Sequence, residues 1–283
     1  MPKILLCLDG SQYGRSCCQY AAWLAASTDA EVDALYVSEL WQYETPLIAD
    51  FGGSLGAQPY LALTSQLQDI EKQKGDALEA AARDIFEKAG VGQRIRFHRR
   101  TGILVDCVEE FETSDEPPRF IVLGKRGENA NFAKGHLGPN MERVVRAGTV
   151  PVFVANREFV KPTKALLAYD GSPSAKKALG RMAAAPALAG VEKHVVTVAK
   201  TGEEALAAER LAEAEKALTG HGLAAAHVLG GHPGDAIAQY VAANGINLLL
   251  MGAYGHSALR RLIIGSITTD LLRECKIPVV LFR

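Results

Sequence analysis

The spacing with the most chemical content in this chain is Gly252-x2-Gly255-x9-Gly265-Ser266. An apolar run, Asn247 to Met251, leads straight into it. Where a buried strand ends, glycine lets a ligand approach the backbone without meeting a Cβ. A helix opening at Gly265-Ser266 presents free N–H groups and the positive end of its dipole, which favours a phosphate. Ser266 either caps that helix or gives its hydroxyl to a phosphate oxygen. Upstream, Asp170 closes another apolar run in the sequence Asp170-Gly171-Ser172. A carboxylate there can accept from an adenine amino group or a ribose hydroxyl. Together these residues point to a mononucleotide, with its base near the first two strands and its phosphates along the glycine loop. The spacing is neither GxxxxGK[ST] nor GxGxxG. Taken singly, each feature also reads as a plain turn or a plain cap.

These residues sit in a chain that repeats itself. KILLCLDGS (3–11) and KALLAYDGS (164–172) agree at six of nine positions. RFIVLGKRG (119–127) then matches NLLLMGAYG (247–255), and TVPVFVANR (149–157) matches KIPVVLFR (276–283). The matches keep their order, the mark of a duplicated domain. The expected domains are 1–157 and 162–283, with Lys161-Pro162 between them. Asp9 and Asp170 stand 161 residues apart, but Gly124 and Gly252 only 128, so the first half carries 33 additional residues. Most fall in 41–74, which reads as an exposed loop entering a longer helix because of Gly52, Gly53, Gly56 and Pro59.

Within each half, short Val/Ile/Leu runs alternate with helical patterns. The first half predicts strands at 3–8, 31–37, 94–99, 119–124 and 150–155, with helices at 12–27, 65–89, 103–113 and 139–147. The second predicts strands at 164–169, 193–199, 223–229, 247–252 and 278–282, with helices at 173–187, 203–221, 234–244 and 266–274. Continuous rather than alternating apolar runs mean strands buried on both faces. The expected fold class is α/β: two tandem, doubly wound, five-stranded parallel-sheet domains. Such sheets bind ligands at the carboxyl ends of strands, where the strand order reverses.

Composition narrows the partners. The chain has 283 residues, 48% hydrophobic and 22% charged, with net charge −1. That balance lacks the basic excess of nucleic-acid binders. No apolar run approaches the roughly 20 residues of a membrane span, and Lys3–Leu8 is too short for a secretory signal. Five scattered cysteines and seven histidines form no metal-ligand spacing, so a cytoplasmic protein with reduced thiols and no structural metal is expected.

In these motifs the sequence resembles a tandem universal stress protein, and the resemblance runs twice over nearly the whole chain. ATP-binding members of that family carry G-x2-G-x9-G-[ST], which Gly252, Gly255, Gly265 and Ser266 fit at every spacing. The resemblance implies a strand order of 3-2-1-4-5 and a set of contacts in the second half. Ala168 and Asp170 would touch the adenosine, and Val198 would hold the adenine through its backbone. Met251, Gly252 and Gly255 would line the ribose and phosphate path. Gly265, Ser266, Ile267 and Thr268 would hold the phosphates. His256 either approaches the phosphates or is a surface histidine. Mg²⁺ is expected with ATP through the phosphates and water. The family's last strand often pairs with that of another domain. Val150–Val154 and Ile277–Leu281 are therefore expected to pair inside one chain as a pseudo-two-fold dimer, with a homodimer of whole chains possible through other surfaces.

The first half departs from the pattern. Gly124-Lys125-Arg126-Gly127 keeps two glycines, but nine residues later stand Leu137-Gly138 in place of Gly-Ser, and allowing one insertion gives Gly138-Pro139. Pro139 suits a helix start yet has neither N–H nor hydroxyl for a phosphate. One nucleotide site per chain is expected, with Lys125 and Arg126 either solvated or standing in as phosphate contacts. Four functions follow: an ATP-holding module that signals to an unidentified protein partner, a slow ATPase, an adenylyl-transferring enzyme, or a nucleotide-free interaction protein. A slow ATPase would need a positioned water and a metal, for which only His256 and Asp170 are at hand. No catalytic constellation favours any of the enzymes.

Overall fold

The computed structural model describes residues 1–38, 58–127, 137–253 and 265–283. Ten strands form one sheet. In the first half, β1 (Lys3–Leu8), β2 (Glu31–Ser38), β3 (Ile95–Thr101), β4 (Phe120–Gly124) and β5 (Val152–Ala155) alternate with α1 (Gln12–Thr28), α2 (Gln58–Lys88), α3 (Leu104–Glu112) and α4 (Pro139–Ala147). In the second, β6 (Lys164–Ala168), β7 (Glu192–Val198), β8 (Leu223–Leu229), β9 (Leu248–Gly252) and β10 (Val279–Phe282) alternate with α5 (Pro173–Ala184), α6 (Glu204–Leu218), α7 (Pro233–Asn244) and α8 (Ser266–Glu274). The spatial order is β3-β2-β1-β4-β5-β10-β9-β6-β7-β8. Each half is thus parallel with order 3-2-1-4-5, as the resemblance implied.

Strand faces alternate between two apolar layers. Ile4, Leu6 and Leu8 join α1, α2, α5 and α6 residues such as Tyr20, Phe86, Met182 and Leu211. Leu5 and Cys7 join α3, α4, α7 and α8 residues such as Val108, Val144, Val241 and Leu271. Burial on both sides explains the unbroken apolar strands. All five cysteines are free and buried in these layers.

Between the halves, β5 and β10 run antiparallel, with Val154 opposite Val279 and Val152 opposite Leu281. The expected intramolecular pairing is therefore present, and it joins the two sheets into one. Tyr20 fixes the connecting segment, its hydroxyl donating to Asn156 Oδ1 at 3.1 Å and accepting from the Val160 N–H at 3.2 Å.

Three expectations shift by three residues or more, one of them the helix expected over 203–221, which stops at Leu218. The long first-half helix starts at Gln58 rather than near 65, so Pro59, read as a loop signal, lies in a first helical turn that tolerates proline. The helix expected over 173–187 stops at Ala184, and a 3₁₀ turn, Pro186–Leu188, follows because Pro186 cannot continue the α-helical ladder. Among the described residues, no helix is long and apolar enough to cross a membrane.

Candidate functional site

From β6 the chain winds outward through β7 to β8, then returns to β9 on the other flank of β6. The strand order therefore reverses between β6 and β9, the place where doubly wound sheets bind ligands. Ala168 sits opposite Met251 there, and Gly252 lies beside Phe282 of β10. Met251 belongs to the apolar layer under α7 and α8, and Ala168, Val198 and Ile267 pack against the same layer. Four residues from four elements thus share one face at one edge of the sheet.

Asp170 follows β6 and is exposed. Its Oδ1 accepts from the Ser172 N–H at 2.9 Å, and Ser172 Oγ in turn caps α5 by accepting from the Ala175 N–H at 3.2 Å. Gly171 makes the turn with φ +74°, a conformation that favours glycine. The short Asp-Gly-Ser sequence therefore fixes the carboxylate at the rim while starting the next helix. Arg210 of α6 lies against this turn, with its Nε 3.1 Å from where a Gly171 Cβ would stand. Sequence reasoning missed this cation, because a lone arginine in a Glu/Ala-rich helix gives no signal.

Gly252 has a structural reason of its own. A Cβ there would lie 2.4 Å from Ser174 Oγ and 3.2 Å from Ser174 Cβ. Close packing of the first turn of α5 on the end of β9 demands this glycine, without any ligand. The first half repeats the device, for a Cβ at Gly124 would lie 2.7 Å from Tyr13 Cβ.

Gly265 has no such internal reason among the described residues. It is the N-cap of α8 with φ −59° and ψ 147°, which any residue adopts, and no side chain caps the helix. Among the described residues, the nearest atoms to a Gly265 Cβ are Thr268 Oγ1 at 3.7 Å and Ala253 O at 3.9 Å, ordinary contacts. The first intrahelical bond runs from the Thr269 N–H to the Gly265 carbonyl at 2.9 Å. The N–H groups of Ser266, Ile267 and Thr268 precede it and have no intrahelical acceptor. Ser266 is exposed as the first helical residue, not the cap. The Thr268 hydroxyl faces inward and donates to the Ala253 carbonyl at 3.4 Å, so this residue offers only its N–H outward. Gly255 and His256 lie outside the described residues.

The corresponding place in the first half is closed by its own chain. The Gly138 N–H donates to the Lys125 carbonyl at 3.1 Å. A Cβ at Gly138 would come within 3.3 Å of both Lys125 O and Arg126 Cα, so this glycine is explained by the loop packed on it. Pro139 opens α4, and Glu142 adds a negative charge to its first turn. The Asp9 carboxylate stands 3.1 Å from where a Gly127 Cβ would be.

Lys125 is not a phosphate contact. Its Nζ crosses the domain boundary and donates to the Cys275 carbonyl at the end of α8, 3.0 Å away. Burial pushes its ammonium down to about 8, and burial pushes the Cys275 thiol up to about 11 despite that cation. From the other half, Arg283 donates to the Ala147 carbonyl at 3.1 Å and to the Gly148 carbonyl, at the end of α4. Each helix is thus finished by a cation from the opposite half, where the dipole favours one.

The universal stress protein family model matches this chain twice, over residues 1–156 and 162–283. A universal stress protein of Synechocystis is 40% identical over 291 residues, covering 100% of both chains. One of Thermus aquaticus is 35% identical over 133 residues, covering 42% of this chain and 96% of its own. Among solved structures, a universal stress protein of Archaeoglobus fulgidus superposes with a TM-score of 0.71 at 21% identity, covering 99% of this chain and 95% of its own. Matched in both halves by one family model and end to end by a relative of equal span, the chain belongs to the universal stress protein family.

Proposed function

We propose that the second half binds an adenine nucleotide, ATP with Mg²⁺, and that the protein is a nucleotide-dependent regulatory module of the stress response. The observation that carries this reading is Gly265. It is a glycine that neither backbone angle nor packing among the described residues requires, at a helix start whose N–H groups lack a side-chain cap. A phosphate over the helix start supplies the missing reason. Asp170 at the rim and the backbone of Val198 suit the ribose and adenine, Ala168 and Met251 would floor the site, and the family resemblance assigns Gly252, Gly255 and His256 to the path to the phosphates. Mg²⁺ is taken to reach the protein through phosphate oxygens and water. Five buried, free cysteines support a reducing, cytoplasmic setting.

The test is to purify the full chain without dialysis and to identify and count any bound nucleotide by chromatography and mass spectrometry. The variant Gly265→Val, Ser266→Ala runs beside it. About one ATP per chain in the parent and none in the variant is the expected result. Bound ADP in place of ATP redirects the reading to a slow ATPase, checked by turnover. No nucleotide in the parent, and no uptake of added ATP, overturns the proposal and leaves an interaction protein.

A further inference from the structure

The opposite, amino-terminal edge of the second half holds an open cavity of about 550 Å³, walled mainly by Ala, Gly, Pro and Val residues. That is within the range of metabolite-sized sites. Its floor is Lys193 of β7, only 4% exposed. The ammonium donates to the Leu188 carbonyl at 3.1 Å and to the His221 carbonyl at 2.5 Å. An ammonium has three N–H donors, so one remains. Among the described residues, no carboxylate pairs with this charge. The Glu192 carboxylate on the rim is already held by Lys164 at 3.2 Å and His194 at 2.8 Å. Desolvation pushes the Lys193 ammonium below its usual value.

The first half shows what the fold does when this place is only structural. Register against β1 and β6 aligns Lys193 with Val32, which is fully buried. Register also aligns Leu223 with Ile95, so Gly222 takes the place of Arg94. Arg94 donates to the Ala25 carbonyl at 2.7 Å and pairs with Asp29 at 2.8 Å, closing the notch over an apolar floor. Asp29 is left-handed at φ 54°, and its counterpart Gly190 is left-handed at φ 76° without a carboxylate. The second half therefore lacks the rim ion pair of the first and carries a cation on the floor that no carboxylate among the described residues compensates. A buried charge without a counter-charge is costly, and Val32 shows that the fold does not need it.

We propose that this cavity is a second ligand site, separate from the strand-end site, and that it takes a small organic acid with one carboxylate and an apolar body. The carboxylate meets the remaining Lys193 N–H and supplies the missing charge; the Ala, Pro and Val walls take the body. The proposal stands whether or not the strand ends hold nucleotide.

The test uses the full chain, isotope-labelled, titrated with butyrate and benzoate, with benzamide as the neutral counterpart and inorganic phosphate as the anion without a body. Saturable shifts of the Gly190, Gly220 and Gly222 amides are expected with a carboxylate, with benzamide and phosphate at least tenfold weaker. Lys193→Val, which copies the first half, should weaken binding at least tenfold. Gly190→Asp, which keeps the lysine and restores the first-half carboxylate, should do the same. No saturable shift with either carboxylate, equal binding of benzamide, or unchanged binding in Gly190→Asp would overturn the proposal.

Discussion

The carboxyl edges of the two halves begin alike and finish differently. Both carry Asp-Gly-Ser after the first strand and a glycine after the fourth, where a helix packs too closely for a Cβ. In the first half the loop then folds onto the start of α4, spending the Gly138 N–H on the Lys125 carbonyl, and Pro139 and Glu142 follow. In the second half the start of α8 has a glycine cap and, among the described residues, no side-chain partner. The shared features are those the fold needs to stand. The features that differ are those a ligand would use. A duplicated chain thus supplies its own control: what both halves keep is mostly structure, and what only one keeps is a candidate for function.

The largest effect should appear in nucleotide titration. Hydrogen bonds to charged groups contribute roughly 1.5–3 kcal/mol each. Obstructing the α8 start with Gly265→Val should therefore weaken ATP binding by at least about 100-fold. Calorimetry on the parent should give one tight site per chain. Pro139→Ser in the first half should create no second site, because the Lys125 carbonyl and the Asp9 carboxylate still occupy the place. Two tight sites in the parent, or a gain in Pro139→Ser, would break the comparison.

Next is the cation that leaves the first-half loop for the second half. The Lys125 ammonium is lowered by burial from 10.5 to about 8. Between those values the unfolded chain binds more protons than the folded one, so the lysine's contribution to stability rises with pH across that window. Its full span is roughly 3 kcal/mol. Urea unfolding of the parent and of Lys125→Met at pH 7.5 and pH 10 isolates it. The parent should gain on the variant as pH rises. The buried cysteines away from this lysine, whose thiols burial pushes up, lose stability with pH in both proteins and cancel; Cys275, whose thiol the Lys125 ammonium holds down, does not, so both proteins are compared in a Cys275→Ser background. A difference that stays flat with pH would place the ammonium in water.

Two glycines sharpen the contrast further. Gly252→Ala forces a Cβ onto Ser174 and should cost about 1–3 kcal/mol of unfolding free energy with little direct effect on ligand contacts. Gly265→Ala should cost less than about 1 kcal/mol. Equal costs in urea would mean that Gly265 is structural too, and would remove the main support for a phosphate site.

Much of this was legible in the sequence, for stated reasons. Strand positions and the duplication follow from apolar runs that two-faced burial enforces, and two copies of one pattern identify each other. The start of α8 was legible because Gly265-Ser266 against Gly138-Pro139 is a local difference in N–H and side chain. What the sequence hid is non-local. Nothing near Lys125 announces that its partner is the carbonyl of Cys275, 150 residues on. Nothing near Gly252 announces that its neighbour is Ser174. Lys193 stands in the sequence as one charge at a strand start, and only its alignment with Val32 shows that it occupies a core position.

The smallest expected effect tests whether the two crossing cations are equivalent. Arg283 reaches the end of α4 as Lys125 reaches the end of α8, but it is partly exposed where Lys125 is buried. Water can replace the guanidinium at the Ala147 and Gly148 carbonyls, so Arg283→Ala should cost less than about 1 kcal/mol. No water can easily reach the Cys275 carbonyl when Lys125 is shortened. If Arg283→Ala nevertheless destabilised the chain as much as Lys125→Met, the two helix ends would be balanced structural ties. If it cost little, only the Lys125 tie is buried, and that tie joins the closed first-half loop to the helix whose other end is the candidate phosphate site.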